Sequence, residues 1–156
     1  MLQNEHAVKV KYGWIKLTYS DKGIKEISFP TKRKPVITSR NPPLFIKKLK
    51  KGLKAYFYAK RTSFSCPFDF KKFTKFQIRV WNAAKKIPYG GTRSYSRVAR
   101  RIGKPGSARA VGNALGKNPC PIIIPCHRVI KNDGTIGGFS GAKSWKKILL
   151  DLERSK

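Results

Sequence analysis

The sequence is poor in acid. Of 156 residues only seven are Asp or Glu, against 36 Lys and Arg, which leaves a formal charge of +29. That excludes a self-neutralised surface and implies a polyanionic partner, nucleic acid ahead of an anionic membrane surface. Long apolar runs are also missing, and none approaches the ~18 residues of a transmembrane helix. Met1 to Ser20 mixes polar and apolar residues throughout, so no secretory signal is expected there. Three cysteines, Cys66, Cys120 and Cys126, are too few for a secreted disulfide framework, which points to a reducing cytoplasm. The only other soft ligands are His6 and His127, and no CxxC or HxxxH spacing exists, so no metal site is expected. What is present is 40% hydrophobic and 12% aromatic residues. That content excludes a disordered basic tail and suffices to bury a core in one compact domain or two small lobes.

The charge itself is spread evenly, with 19 basic and four acidic side chains in residues 1–78 and 17 and three in residues 79–156. The acids are not. From Phe70 to Asn132 there are 63 residues, 15 of them basic, and no acid at all. Soluble surfaces normally intersperse both signs, so this stretch keeps an uncancelled potential suited to a phosphate backbone.

Residues 7–29 read as three strands carrying Val8 and Val10, then Trp14 to Tyr19, then Ile24 to Phe29, with a turn at Asp21-Lys22-Gly23. After a Pro- and Lys-rich connector, Phe45, Leu49, Leu53, Tyr56 and Phe57 recur at helical spacing and read as core. Residues 62–72 read as the link between two lobes. The second half predicts helices over about 73–86, 95–102 (capped by Ser94, stopped by Gly103) and 108–115 (capped by Ser107, stopped by Gly116). The last two form a helix-turn-helix pattern. Pro121 to Pro125 reads as a short buried strand, Gly134 to Gly141 as a loop, and 142–154 as a helix burying Trp145, Ile148, Leu149 and Leu152.

The helix over 108–115 is unusually smooth. Ala108, Ala110, Gly112, Ala114 and Gly116 leave Arg109 as its one long side chain. Glycine inside a helix costs ~1 kcal/mol relative to alanine, which a closely approaching partner would offset. A tight internal helix contact and insertion into a nucleic-acid groove both fit, and the isolated Arg109 favours the groove. Downstream, Cys126 is followed directly by His127 and Arg128. Cationic or basic neighbours favour a thiolate nucleophile, although a lone cysteine is more often an inert core residue.

The flanking residues single out a family. Asn118-Pro119-Cys120-Pro121, three isoleucines, then Pro125-Cys126-His127-Arg128-Val129 resembles the active-site signature of the O6-alkylguanine-DNA alkyltransferases. Gly90 followed by Ser94-Tyr95, the run Arg109-Ala110-Val111-Gly112, and Gly137-Gly138-Phe139-Ser140-Gly141 resemble further blocks of that family, and Glu153 falls where it carries a glutamate. The resemblance is close over 73–154, whereas residues 1–70 match only in layout. Cys120 stands where a plain apolar residue is usual, and Phe139 where tyrosine is common.

The resemblance implies an α+β fold. Residues 1–70 would form a ribonuclease H-like lobe of a small antiparallel sheet and a helix. Residues 71–156 would form a mainly helical, winged-helix or helix-turn-helix lobe for DNA binding and alkyl transfer. It implies direct, single-turnover repair of double-stranded DNA containing O6-alkylguanine, by a monomer without a cofactor. Cys126 would take the alkyl group, His127 would act as base and Glu153 would orient it. Asn118 would brace the turn, and Tyr95 would donate to the departing guanine. Arg109 would fill the space left by the flipped nucleotide, with Ser94, Ala108, Ala110, Gly112 and Arg128 also at the DNA. Val129, Phe139 and Ser140 would line the base pocket. The competing classes are a non-enzymatic helix-turn-helix or lesion-sensing protein, which needs no reactive cysteine, and a cysteine hydrolase, which leaves the smooth helix and basic surface unused.

Overall fold

The computed structural model describes residues 3–137 and 143–155. The chain forms two compact units, Met1–Lys71 and Lys72–Lys156, and its architecture is α+β.

In the first lobe, β1 (Asn4–Val10), β2 (Gly13–Ser20) and β3 (Gly23–Ile27) form an antiparallel meander in that order. Two tight turns set the register: Val10 pairs with Gly13 across Lys11-Tyr12, and Ser20 with Gly23 across Asp21-Lys22. Gly13 has φ +132°, and a Cβ there would lie 2.4 Å from the Thr31 carbonyl oxygen, so no side chain fits. Helix α1 (Leu44–Phe57) packs against β1. Its buried stripe is Ile46, Leu49, Leu53, Tyr56 and Phe57. Phe45, expected in that stripe, is half-buried and instead meets Tyr19 edge-on, 6.0 Å between ring centres. The lysines fall on the opposite face, as an amphipathic helix requires.

The second lobe is mainly helical. Helix α2 (Lys75–Lys85) opens with a capping box in which Thr74 and Gln77 satisfy each other's backbone N–H groups. It turns Val80, Trp81 and Ala84 inward, and Trp81 Nε1 donates to Ala114 O at 2.8 Å. Ser94 caps α3 (Tyr95–Arg101) by accepting from Arg97 N. Ser107 precedes α4 (Ala108–Gly116) but does not cap it through its side chain, because its hydroxyl donates to Lys104 O instead. The pair β4 (Arg93–Ser94) and β5 (Val129–Ile130) forms a short parallel ladder.

Two expectations need correction. Residues 121–125 are buried but are not a strand. Prolines at both ends remove two ladder donors, and the segment folds back on itself, with Ile124 N donating to Cys120 O and Ile122 held at φ +77°. The final helix, α5 (Lys143–Arg154), buries Leu149 as expected but otherwise turns a neighbouring face inward. Lys146, Leu149, Leu150 and Glu153 point inward at i, i+3, i+4 and i+7, while Trp145, Ile148 and Leu152 are half-buried. Two of the four inward positions are charged, so a stripe chosen by hydrophobicity alone finds Leu149 and misses Lys146 and Glu153.

Candidate active site

Cys126 begins a single 3-10 turn, Cys126–Arg128, rather than ending a strand. Asn118 holds this turn from the opposite side. Its amide donates to Ile124 O at 2.9 Å and accepts from Cys120 N at 2.9 Å. One amide therefore closes the fold-back loop that leads into Cys126. Burial still dominates and pushes the Cys126 thiol up to about 11, against Asn118 and the nearby Lys146 ammonium. At neutral pH it is a protonated thiol that needs a base.

Behind the turn lies a buried charged cluster. His127 Nε2 donates to Glu153 Oε1 at 2.7 Å. The carboxylate only accepts, so Nε2 carries the hydrogen and Nδ1 is the basic nitrogen of the neutral ring. Arg128 donates Nε to Glu153 Oε2 at 2.9 Å and Nη2 to Oε1 at 2.7 Å, while its Nη1 binds Ile87 O at 2.8 Å. Gly90 N adds a bond to Oε2. Burial pushes the Glu153 carboxyl up, and the bonds from His127 and Arg128 outweigh it and bring it down to about 2. Burial holds His127 below its usual 6.5, partly offset by Glu153. The ring is neutral at rest, with a fixed anion ready to stabilise its protonated form.

The turn opens into a cavity of about 460 Å³ bounded by Tyr95, Ala108, Arg109, Gly112, Cys126 and Lys146. That lies within the ~300–1,000 Å³ of small-ligand pockets. Ala108, Gly112 and Gly116 of α4, with Leu115, form one wall, while Val111 and Ala114 face the core. The two readings of the smooth helix are now distinguishable. A Cβ on Gly112 would sit 3.7 Å from the Tyr95 ring, an ordinary contact, so packing inside the protein does not require glycine there. Arg109 is exposed at the cavity edge.

Lys146 was not anticipated. Its side chain is 1% exposed, its ammonium donates to Tyr95 Oη at 3.2 Å and lies 5.5 Å from that ring's centre, and burial lowers it to about 8. Burial likewise raises the Tyr95 phenol, as does the neighbouring Cys126. The signal was present in the sequence, since Lys146 sits on one helical face with Leu149, Leu150 and Glu153.

The fold thus brings Cys126, His127, Glu153, Asn118 and Tyr95 to one locus. Arg128, expected at the DNA, is buried instead, because three of its donors are committed to Glu153 and Ile87. Ser94 is occupied as a helix cap, and Ala110 is exposed on α4. The Val129 side chain is buried at the start of β5, and Val129 N donates to Cys126 O, which occupies one of that carbonyl's two acceptor positions. Phe139 and Ser140 lie outside the described residues. Among the described residues no three His, Cys, Asp or Glu side chains gather as a metal site, and no helix is long and apolar enough to cross a membrane.

Residues 75–155 match the family model of the 6-O-methylguanine DNA methyltransferase DNA-binding domain. The methylated-DNA–protein-cysteine methyltransferase of Mycobacterium bovis is 51% identical over 104 residues, 67% of this chain but only 62% of the relative's length. The protein of the same name from Methanosarcina acetivorans is 38% identical over 146 residues, 92% of this chain and 93% of its own. In fold, the chain superposes on the crystal structure of Mycobacterium tuberculosis OGT in complex with DNA with a TM-score of 0.78 at 39% identity, covering 95% and 91% of the two chains. Since the family model spans more than half of its length and the Methanosarcina protein matches it nearly end to end, this chain belongs to the 6-O-methylguanine DNA methyltransferase family.

Proposed function

We propose that the protein repairs double-stranded DNA by moving an alkyl group, methyl above all, from O6 of guanine to Cys126 Sγ, once per molecule. The observation that carries this reading is the buried Cys126 thiol, followed directly by a His127 that is bonded to the buried Glu153, on the wall of a base-sized cavity that also has Arg109 at its edge. In the reaction an S–C bond forms as the C–O6 bond breaks. The thiol proton passes to His127 Nδ1, directly or through water, and Glu153 stabilises the imidazolium. The C–O electron pair stays on the guanine, which regains a proton, so the balance closes without a cofactor.

Lys146 can only donate, so its bond to Tyr95 Oη leaves the phenol proton for the departing base. The thioether is stable, which makes the protein its own acceptor. A guanine inside a duplex cannot reach a buried thiol, so the nucleotide must flip out at a cost of a few kcal/mol. Arg109 enters the space it leaves, and the smooth face of α4 lets the backbone of the groove approach. A reducing cytoplasm suits a chain whose nucleophile is a thiol.

The test is incubation with an O6-methylguanine duplex followed by tryptic mass analysis. One added methyl on the Cys126 peptide and no further turnover are expected, whereas repeated turnover or an unmodified Cys126 overturns the reading. Arg109→Ala should slow transfer from a duplex by about 10²-fold, in line with the lost flipping energy, yet leave transfer from the free methylated base unchanged.

A further inference from the structure

The helix α3 has a second face that the reaction does not use. Tyr95 looks into the active cavity. Arg97 and Arg101, two and six positions on, are turned about 200° and 240° away at ~100° per residue. Together with Val98 they line a separate cavity of about 200 Å³ between α3 and the end of α2, floored by Ala83 and Ile87 and rimmed by Lys86, Arg93, Arg97 and Arg101. Its volume is below the ~300–1,000 Å³ of organic-ligand pockets. The rim is four cations, three of them exposed.

Nothing described in this lobe neutralises them. Asp133 is bonded by Thr135, Asp151 by Lys147, and Glu153 by His127 and Arg128. The cations are not there to cap α2 either, because Ala83 O and Ala84 O already accept from Lys86 N and Ile87 N. Guanidinium forks bind the oxygens of a phosphodiester in pairs, and three of them share this rim.

We propose that this pocket binds the phosphate backbone of a second DNA segment, on the side of α3 opposite the repair cavity. One molecule then holds two duplexes, and it can move between segments without leaving DNA. That the first duplex lies on the Tyr95 side rests on the function proposed above. The anion chemistry of the pocket does not.

The test saturates a short immobilised O6-methylguanine duplex with the full-length protein and measures capture of a fluorescent lesion-free duplex across a salt series. The double variant Arg97→Ala/Arg101→Ala should capture about tenfold less, with a log–log salt slope shallower by about 1.8, the share of two phosphate contacts. Its methyl transfer to the immobilised duplex should be unchanged. Lys47→Ala/Lys51→Ala removes the same charge from α1 and should leave capture within about twofold of wild type.

Equal losses in the two double variants would mean diffuse attraction and overturn the site. So would transfer falling together with capture, which would place Arg97 and Arg101 at the first duplex. Wild-type protein that binds inorganic phosphate at these arginines, seen in their NMR side-chain signals, but captures no second duplex overturns the DNA assignment. If wild type transfers no methyl yet capture depends on Arg97 and Arg101, the repair reading falls and this one stands.

Discussion

In the first lobe, His6 donates from Nδ1 to Ser39 O at 3.0 Å and accepts at Nε2 from Lys50 at 2.8 Å. In the second, His127 donates from Nε2 to Glu153 at 2.7 Å, and Lys146 is again close enough to lower its pKa. Both rings are buried and both are held below their usual 6.5 chiefly by burial, with Lys50 adding to this at His6 and Arg128 and then Lys146 at His127; both lysines are themselves lowered. The difference is one carboxylate. At His6 a proton would arrive at a nitrogen already facing an ammonium donor, so the ring serves as a fixed strut between β1, α1 and the connector. At His127 the arriving charge meets an anion that Arg128 and Gly90 hold in place. Burial alone makes a histidine neutral, and it takes a preorganised counter-charge to make it a base.

The largest effect tests whether either histidine matters without its thiol. Cys126→Ser should lower transfer by about 10⁴-fold or more, as loss of a nucleophile does, while duplex affinity measured by anisotropy stays at the wild-type value. Next comes the carboxylate. Glu153→Gln leaves Arg128 buried without its anion, a loss of about 3–5 kcal/mol in urea unfolding. Below its own Tm the variant should transfer about 10²-fold more slowly, the usual range for losing general-base support. His6→Gln should leave transfer unchanged, and if it slows the reaction as much as Glu153→Gln does, the contrast between the two lobes fails.

The lysines offer a finer test. With Lys146 near 8, its charge is present below that pH and lost above it. The transfer rate should therefore dip as pH rises through about 8, and Lys146→Met should be about tenfold slower and lack the dip. Lys50→Met should not alter transfer, but should raise the His6 pKa read by NMR, because it removes a neighbouring positive charge. The smallest effect is on stability. Folded-state values below 6.5 favour the unfolded chain in acid, so this contribution is complete above pH 6.5 and is lost as pH falls through the folded values. A series of Tm values from pH 8 to 5 should decline, and less so in Lys50→Met.

Much of this was legible because it depends on local order. The alternation in β1 and β2, the Asp21-Lys22 turn, the α1 lysine face and the Ser94 cap each follow from residues within one turn or one hairpin of each other. Cys126 and its partners were legible through the family signature around them, since nothing in Pro-Cys-His-Arg says by itself which side chains will touch. The misreadings share one cause. Arg128 reads as a DNA-facing cation, 121–125 as a strand, and Lys146 draws no reading at all, because charge and hydrophobicity serve as poor proxies for exposure and extension. A charged residue is buried when another buried charge or phenol meets it, and that partner lies 25 residues from Arg128 and 51 from Lys146.

By itself the sequence determined the +29 charge, the acid-free stretch over 70–132, the helix and strand periods, and the smooth face that leaves Arg109 alone on α4. Only the tertiary structure decided where that charge goes. It took Arg128 and Lys146 out of the surface and into the site. It set Tyr95 and Arg101 on opposite sides of one helix, and it distinguished His127 from His6 by giving it Glu153. The physical reason is range. Periodicity and capping act over a few residues of chain, whereas a pKa or an ion pair acts over a few ångströms of space, and only the folded chain converts one into the other.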